Sequence, residues 1–398
     1  MLRFPEFRNG PGWEEAAVGE LIDTITPPKK LPTSMYSANG TFPIIDQSQS
    51  DVCGWTDDVE ALISEDIPLI VFGDHTCISK LIERPFAQGA DGIKILKART
   101  KVDPRYLYQF LTFRPVVMEE YKRHFSILKD KPVFFPDIRS GEQQKIADCL
   151  STLDELIGAE SQKLDALKSH KKGLMQQLFP REGETIPLLR FPEFQNASEW
   201  EMKRIDERGG VLAGKALAVN APGPLRPYLR TKNVLDGAID LSDVLTMPMT
   251  DAEFSRFEIL DGDVLLNEGQ SLELVGRASI YRGELGRRCA MQNQLLRFRA
   301  YPSTCPEFAA QAFRQCQKDG TFASIATQTT SVAHLGSTRF SALALTWPPS
   351  LAEQQHISTC LSSLDDLIAG QSEKIEALKT HKKGLMQQLF PPPTEAEG

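Results

Sequence analysis

Residues 142–180 read EQQKIADCLSTLDELIGAESQKLDALKSHKKGLMQQLFP, and residues 353–391 read EQQHISTCLSSLDDLIAGQSEKIEALKTHKKGLMQQLFP. Of the 39 positions, 27 are identical, and most of the rest are mild exchanges such as Glu155 against Asp366. In the first copy an apolar ladder runs through Ile146, Leu150, Leu153, Ile157, Leu164, Leu167, Leu174 and Leu178, in alternating steps of four and three, broken by Glu160 and Lys171. The second copy repeats it through Ile357, Leu361, Leu364, Ile368, Ile375, Leu378, Leu385 and Leu389, broken by Gln371 and Lys382. A 3.5-residue apolar period describes a helix whose seam wants a second helix. At about 1.5 Å per residue each helix would be a rod of roughly 57 Å. Glu142 and Glu353 favour the start of such a helix and the paired lysines its end. Pro180 and Pro391 stop it. The nearest partner for either seam is the other copy, in antiparallel pairing. A plain helical hairpin or dimerisation element would satisfy the seam equally. The match of outward positions as well, such as His170 with His381 and Gln176 with Gln387, favours two rods presenting one face to one kind of partner.

A second repeat opens each half. LRFPEF at 2–7 returns at 189–194, and Trp13 returns as Trp200. The offset is 187 at the front and 211 at the back, so the second half carries 24 extra residues in its middle. The boundaries implied are a first body at 1–141, a first spacer helix at 142–180 and a linker at 181–188; a second body follows at 189–352, then a second spacer helix at 353–391 and a disordered tail at 392–398. The fold class expected is mixed α/β: two globular bodies separated by two long antiparallel, coiled-coil-like helices, with an internal pseudo-two-fold. Strands are expected at 41–46, 67–72 and 93–96 in the first body, and at 228–234, 262–266, 277–282 and 294–299 in the second. Helices are expected at 104–124 and 306–319.

Composition narrows the function. The 398 residues hold 41% hydrophobic and 25% charged residues, ordinary for a globular protein. No apolar run reaches the length of a membrane span, and MLRFPEFRNG has no apolar core of a signal peptide, so a cytoplasmic protein without a membrane partner is expected. Seven scattered Cys with no CxxC fit a reducing compartment and argue against a zinc knuckle. Catalytic signatures fail one by one. GGVLAGKA (209–216) has Ala216 where a phosphate loop needs Ser or Thr. Pro136-Asp137 with Glu142 and Lys145 has the wrong spacing for a nuclease metal site. Asp74-His75 has no nucleophile motif beside it. No Asn-Pro-Pro-Tyr or Asp-Pro-Pro-Tyr segment for base methylation is present.

A body followed by a seam helix ending KKGLMQQLFP, with both repeated, resembles the DNA-specificity subunit of type I restriction–modification systems. FPIIDQSQSDVCGWTDD (42–58), PLIVFGDHT (68–76) and PFAQGADGIKIL (85–96) are similar to one class of target-recognition domain. YLRTKNVLDGAIDLSDV (228–244), GDVLLNEGQSLELVGRASIY (262–281) and MQNQLLRFR (291–299) are similar to another. The resemblance covers nearly the whole chain. It implies that each body reads one half of a split double-stranded DNA target, that the helices form a spacer docking two methyltransferase subunits, and that nuclease/translocase subunits join for cleavage. It also implies a non-catalytic chain holding no cofactor, with S-adenosylmethionine in the methyltransferase subunits and ATP and Mg in the nuclease subunits.

Residue chemistry bears on DNA reading independently. A formal charge of −8 argues against binding by bulk charge. Charge is nonetheless uneven: Lys80 to Arg105 holds seven basic and three acidic residues, and Arg277 to Arg299 holds six Arg against Glu284 alone. Such stripes could follow phosphates, or could be ordinary strand-edge charge. Short bidentate side chains suited to base edges are Gln47, Ser48, Gln49, Asp74, His75, Thr76 and Lys94 in the first body, with Lys80 and Lys97 on its stripe. In the second they are Arg230, Lys232, Asn233, Asn267, Glu268, Gln270, Gln292 and Asn293, with Arg277 on its stripe. Two other readings stay open at this point: a coiled-coil scaffold whose bodies bind protein, and a stand-alone methyltransferase or nuclease.

Overall fold

The computed structural model describes residues 2–90, 92–118, 123–216, 218, 220–328 and 332–391. The expected tail at 392–398 lies outside these, as do 119–122 of the expected helix 104–124. The two long helices run Glu142–Leu178 and Leu351–Leu389. The chain divides into two compact units whose boundaries cut through both helices, at Lys163/Leu164 and at Gly370/Gln371. Each unit therefore owns one body, the first half of the helix that follows that body, and the second half of the other helix.

In the first unit an antiparallel sheet has the strand order Ile22–Ile25, Ile93–Ala98, Leu69–Gly73, Ser79–Ile82. Leu69–Gly73 is buried at all five positions, which fits a central strand covered on both faces. Alternation sends Ile70 and Phe72 into a core with the helix Pro104–Phe113, and Leu69 and Val71 toward a smaller sheet. That smaller sheet has the order Gly54–Thr56, Phe42–Ile45, Ala87–Gln88, its last pair parallel. The helix expected at 104–124 ends at Phe113 because Pro115 forbids its continuation and biases Arg114 to extended backbone.

The second unit repeats this topology. Its main sheet runs Gly209–Ala213, Leu295–Ala300, Val264–Asn267, Ala278–Ile280. Its second sheet runs Leu245–Pro248, Leu225–Leu229, Cys289–Met291, Glu258–Ile259, with Leu225–Leu229 and Cys289–Met291 again parallel. Val264 and Leu266 face the core around the helix Pro306–Lys318, and Leu265 faces the second sheet. The strand expected at 228–234 stops at Leu229; Thr231–Asn233 forms a turn of 3-10 helix, held by Asn233 Oδ1 accepting from Arg230 N–H at 2.9 Å.

Helix ends lock into these cores. Met386, Leu389 and Phe390 join the core of the first unit, where Phe390 meets Tyr106, Phe110 and Phe113. Met175 and Leu178 join that of the second, with Phe179 stacked on Phe308. Polar breaks in the seam are partnered. Lys382 Nζ donates to Asp154 at 2.6 Å in the first unit, and Lys171 Nζ to Asp365 at 2.6 Å in the second, the same pair one repeat apart. Gln371 Nε2 donates to Glu160 at 2.6 Å, and Lys374 pairs with the same carboxylate. Glu142 and Glu353 do more than favour a helix start: each is buried and takes two charge-assisted bonds from an arginine of the opening repeat, Arg3 and Arg190. The arginine of each LRFPEF repeat thus closes a buried carboxylate.

Candidate nucleic-acid interface

At one end of the first body's sheets the turn Asp74–Cys77 lies against the 46–50 loop and Gly92. Thr76 Oγ1 donates to the Gln47 carbonyl at 2.9 Å, and Asp74 N–H to the Gly92 carbonyl at 2.7 Å. The topology brings Gln47, Asp74, His75 and Thr76 together, with Ser48 and Gln49 exposed on the same loop. Lys94 sits beside them on the strand leaving Gly92, its ammonium 5.5 Å from the Phe125 ring centroid. Asp74 is buried and accepts from Phe125 N–H at 2.8 Å, so it fixes the turn. Lys80 is also internal: buried, it donates to the Asp46 carbonyl at 2.9 Å and to that of Ser50. A lysine placed there cannot follow phosphates; it braces the loop that carries Ser48 and Gln49. Lys97 pairs with Glu65 at 2.6 Å.

The second body assembles its counterpart from the same strand ends. Tyr228 and Leu229 run beside Ala290 and Met291, which places Arg230 next to Gln292. Gln292 N–H donates to the Leu229 carbonyl and Asn293 N–H to the Lys215 carbonyl, both at 2.9 Å. Glu268 N–H donates to the Gln294 carbonyl at 2.8 Å, joining the 267–270 segment to the same cluster. Two candidates are structural. Asn233 is 1% exposed and donates to the Asp240 and Asp243 carbonyls. Asn267 is fully buried and donates to the Val234 carbonyl at 3.3 Å. Both hold the loops that present their neighbours. Arg230 and Lys232 share Asp243, whose carboxyl Lys232 holds below its ordinary range. Gln270, Gln292 and Asn293 remain half-buried.

The basic stripes are largely spent on internal pairs. In the first, Arg99 meets Asp23 and Arg105 meets Glu83. In the second, Arg282, Arg288 and Arg299 meet Glu307, Glu258 and Asp263, and Arg297 donates to the Glu258 carbonyl. Arg277 and Arg287 form no ion pair among the described residues. Such pairs leave guanidinium groups at the surface without a net positive track.

The dismissed motifs resolve into structure. Gly209–Ala213 of the phosphate-loop look-alike is a strand, and Lys215 pairs with Glu253, holding that carboxyl down to about 2. Asp137 accepts from Arg139 N–H, and Lys145 lies 3.7 Å from Glu6. Among the described residues no group of three His, Cys, Asp or Glu could hold a metal ion, and no helix is long and apolar enough to cross a membrane. Sequence reasoning missed Lys215, Gln294 and His334, all beside the second cluster. Lys215 had been set aside with its false motif, and His334 is 66 residues from the Glu268 it contacts.

No family model matches the chain. A putative type I restriction enzyme specificity subunit from Methanocaldococcus jannaschii, MjaX, is 25% identical over 194 residues, 48% of this chain and 45% of that protein. The type I restriction enzyme MjaVIII specificity subunit of the same organism is 26% identical over 206 residues, 51% of this chain and 43% of that one. The matched stretch is thus less than half the length of either relative. Among solved structures, the S subunit of a type I restriction–modification system from M. genitalium superposes with a TM-score of 0.65 at 15% identity, covering 97% of this chain and 98% of that one. A chain from a study of complex assembly and conformational transition in a type I system superposes with a TM-score of 0.52 at 14% identity, covering 96% and 98%. The chain has the fold of type I S subunits and its curated relatives are type I specificity subunits, so the family resemblance read from the repeated helix and the two bodies holds.

Proposed function

We propose that this chain is the non-catalytic DNA-recognition subunit of a type I restriction–modification complex, reading an asymmetric, two-part target. One observation carries the reading. The same end of the same two-sheet topology presents unlike polar loops in the two bodies: Gln47, Ser48, Gln49, Thr76 and Lys94 in one, Arg230, Gln270, Gln292 and Asn293 in the other. One scaffold with two sets of base-edge chemistry suits two different half-sites. The paired helices are the spacer that sets the unread gap between them. Leu156 and Leu367, one repeat apart, are left 39% and 57% exposed and off the seam, as equivalent docking points for two methyltransferase subunits require. Those subunits supply S-adenosylmethionine, and nuclease subunits with ATP and Mg supply cleavage. Because the stripes are internally paired, phosphate contact comes mainly from the partners, and the isolated chain binds DNA weakly.

Long-read methylation mapping of cells carrying this gene with its methyltransferase tests the reading. A split motif that appears only when both are present is expected. Methylation without this chain, or transfer to DNA by the purified chain alone, would refute it, and absence of any sequence preference in the assembled complex would favour the scaffold reading.

A further inference from the structure

The second cluster holds a histidine that the family resemblance does not single out. His334 pairs across a short antiparallel ladder with Gly269. Its Nδ1 lies 3.0 Å from Glu268 Oε2, while Glu268 Oε1 accepts from Gly336 N–H at 3.3 Å and the Glu268 carbonyl from Leu335 N–H at 2.9 Å. The carboxylate is thereby held by His334 and Gly336, one oxygen each, while Leu335 fastens the Glu268 backbone. Gly269 supplies the space. A Cβ there would lie 1.9 Å from Gln294 Oε1 and 3.2 Å from His334 Cε1, so only a glycine lets the Gln294 amide and the His334 ring sit side by side above the backbone. The Glu268 side chain is 15% exposed and that of His334 36%, so the carboxylate lies beneath and the ring above. Among the described residues neither His334 Nε2 nor the Gln294 amide takes a hydrogen bond.

A carboxylate only accepts, so Nδ1 carries the proton, and in the neutral ring Nε2 is left as an outward lone pair. From this geometry we infer that His334 is a target-reading residue of the second body and Glu268 its positioning residue. The fixed Nε2 acceptor takes a hydrogen bond from an exocyclic amine in the major groove, cytosine N4 or adenine N6. It rejects the same base pair in inverted orientation, which would present a carbonyl oxygen there. The inference rests on DNA reading by this body.

The test uses the full chain assembled with its methyltransferase subunits, with methylated sites mapped for wild type, His334→Ala, His334→Phe, Gln294→Ala and Glu268→Gln. Loss of His334 should relax one base pair of the second half-site, on the order of 10- to 100-fold in discrimination, and leave the first half-site untouched. The base lost from the wild-type motif identifies the amine as that of cytosine or adenine. Glu268→Gln can turn an N–H toward Nδ1 and so free the other tautomer, and it should admit the inverted pair at that position. A merely structural role would lower methylation at all sites without shifting preference. Unchanged preference in His334→Ala and His334→Phe overturns the inference, as does a shift in the first half-site. Should those two fail to assemble, unchanged preference in the near-isosteric Glu268→Gln overturns it. A wild-type complex without any split motif would instead overturn the DNA-reading function itself.

Discussion

Phe390 sits more than two hundred residues from the first body in sequence, yet its ring is 1% exposed in that body's core. Ring centroids of Tyr106, Phe110 and Phe113 lie 5.6, 5.4 and 5.5 Å away, two of them edge-on and the last stacked. Replacing a fully buried Phe by Ala costs about 3–5 kcal/mol through lost transfer energy and the cavity left behind. The three aromatic contacts place Phe390→Ala in the upper part of that range. The cost should fall on the first unit alone, since Phe390 belongs to it and the second unit is closed by Met175 and Leu178. Native-state hydrogen exchange reads this directly. Amides of the helix Pro104–Phe113 should exchange on the order of 1,000-fold faster, while those of Pro306–Lys318 keep their protection. Under the proposed function, recognition of the first half-site should fail in parallel. Unchanged protection at Tyr106–Leu111 would refute the claim that the end of the second helix completes the first body.

Two further outcomes follow from the same packing. Asp365 faces Lys171, Gln311 and Arg314, and these donors hold its carboxyl down to about 2 against burial; Lys171, facing Arg314 as well, is itself pushed down by burial. A depressed carboxyl contributes its stability above its unfolded value of about 3.9, so about 2 kcal/mol should be lost from the second unit between roughly pH 4 and pH 2. Asp365→Asn should flatten that acid limb in pH-dependent urea unfolding, and an unchanged limb would contradict the assignment. Separately, residues 163–180 and 374–391 differ only at Leu164/Ile375, Asp165/Glu376 and Ser169/Thr380. A chain of residues 1–188 should therefore dimerise, each copy lending its own helix end to the other's body; sedimentation showing a stably folded monomer would exclude this.

The seam was legible because a 3.5-residue period has one physical use, and the repeat made its antiparallel partner evident. What the period could not show was the meaning of its breaks. Glu160, Lys171, Gln371 and Lys382 read as interruptions until Asp154, Asp365 and Lys374 stood across from them. Strand positions in the main sheets were readable from buried apolar runs. The strand at 228–234 was overrun because nothing local marks Arg230 as the point where Asn233 turns the chain. The candidate site was half legible. Polar loops could be found, but burial could not, so Lys80 and Asn267 looked like ligands rather than braces. The stripes misled for a related reason: linear charge counting sees Arg299 and not Asp263 beside it. His334 escaped because its significance lies in a contact with Glu268 that only the fold creates.

The near-identity of the two helices has two causes that separate by position. Leu174, Met175, Leu178 and Phe179, with their repeats Leu385, Met386, Leu389 and Phe390, are kept alike by an internal demand, since each helix end fills the core of the other body. Those cores offer the same kind of socket, Phe308 and Trp200 in one and Tyr106, Phe110 and Phe113 in the other. His170, Gln176, His381 and Gln387 are exposed and serve no such packing, so that demand does not account for their match; under the proposed function a partner met twice does. The buried Arg3–Glu142 and Arg190–Glu353 pairs fix where each body meets its own helix, again identically. Removing either arginine would leave a buried carboxylate uncompensated, a cost of about 3–5 kcal/mol, which keeps this junction from varying. Everything that must be equal in the two halves is thus carried by helix and junction. The strand-end loops bear none of these constraints, which is why one scaffold can hold Gln47 and Thr76 in one body and Gln292 and His334 in the other.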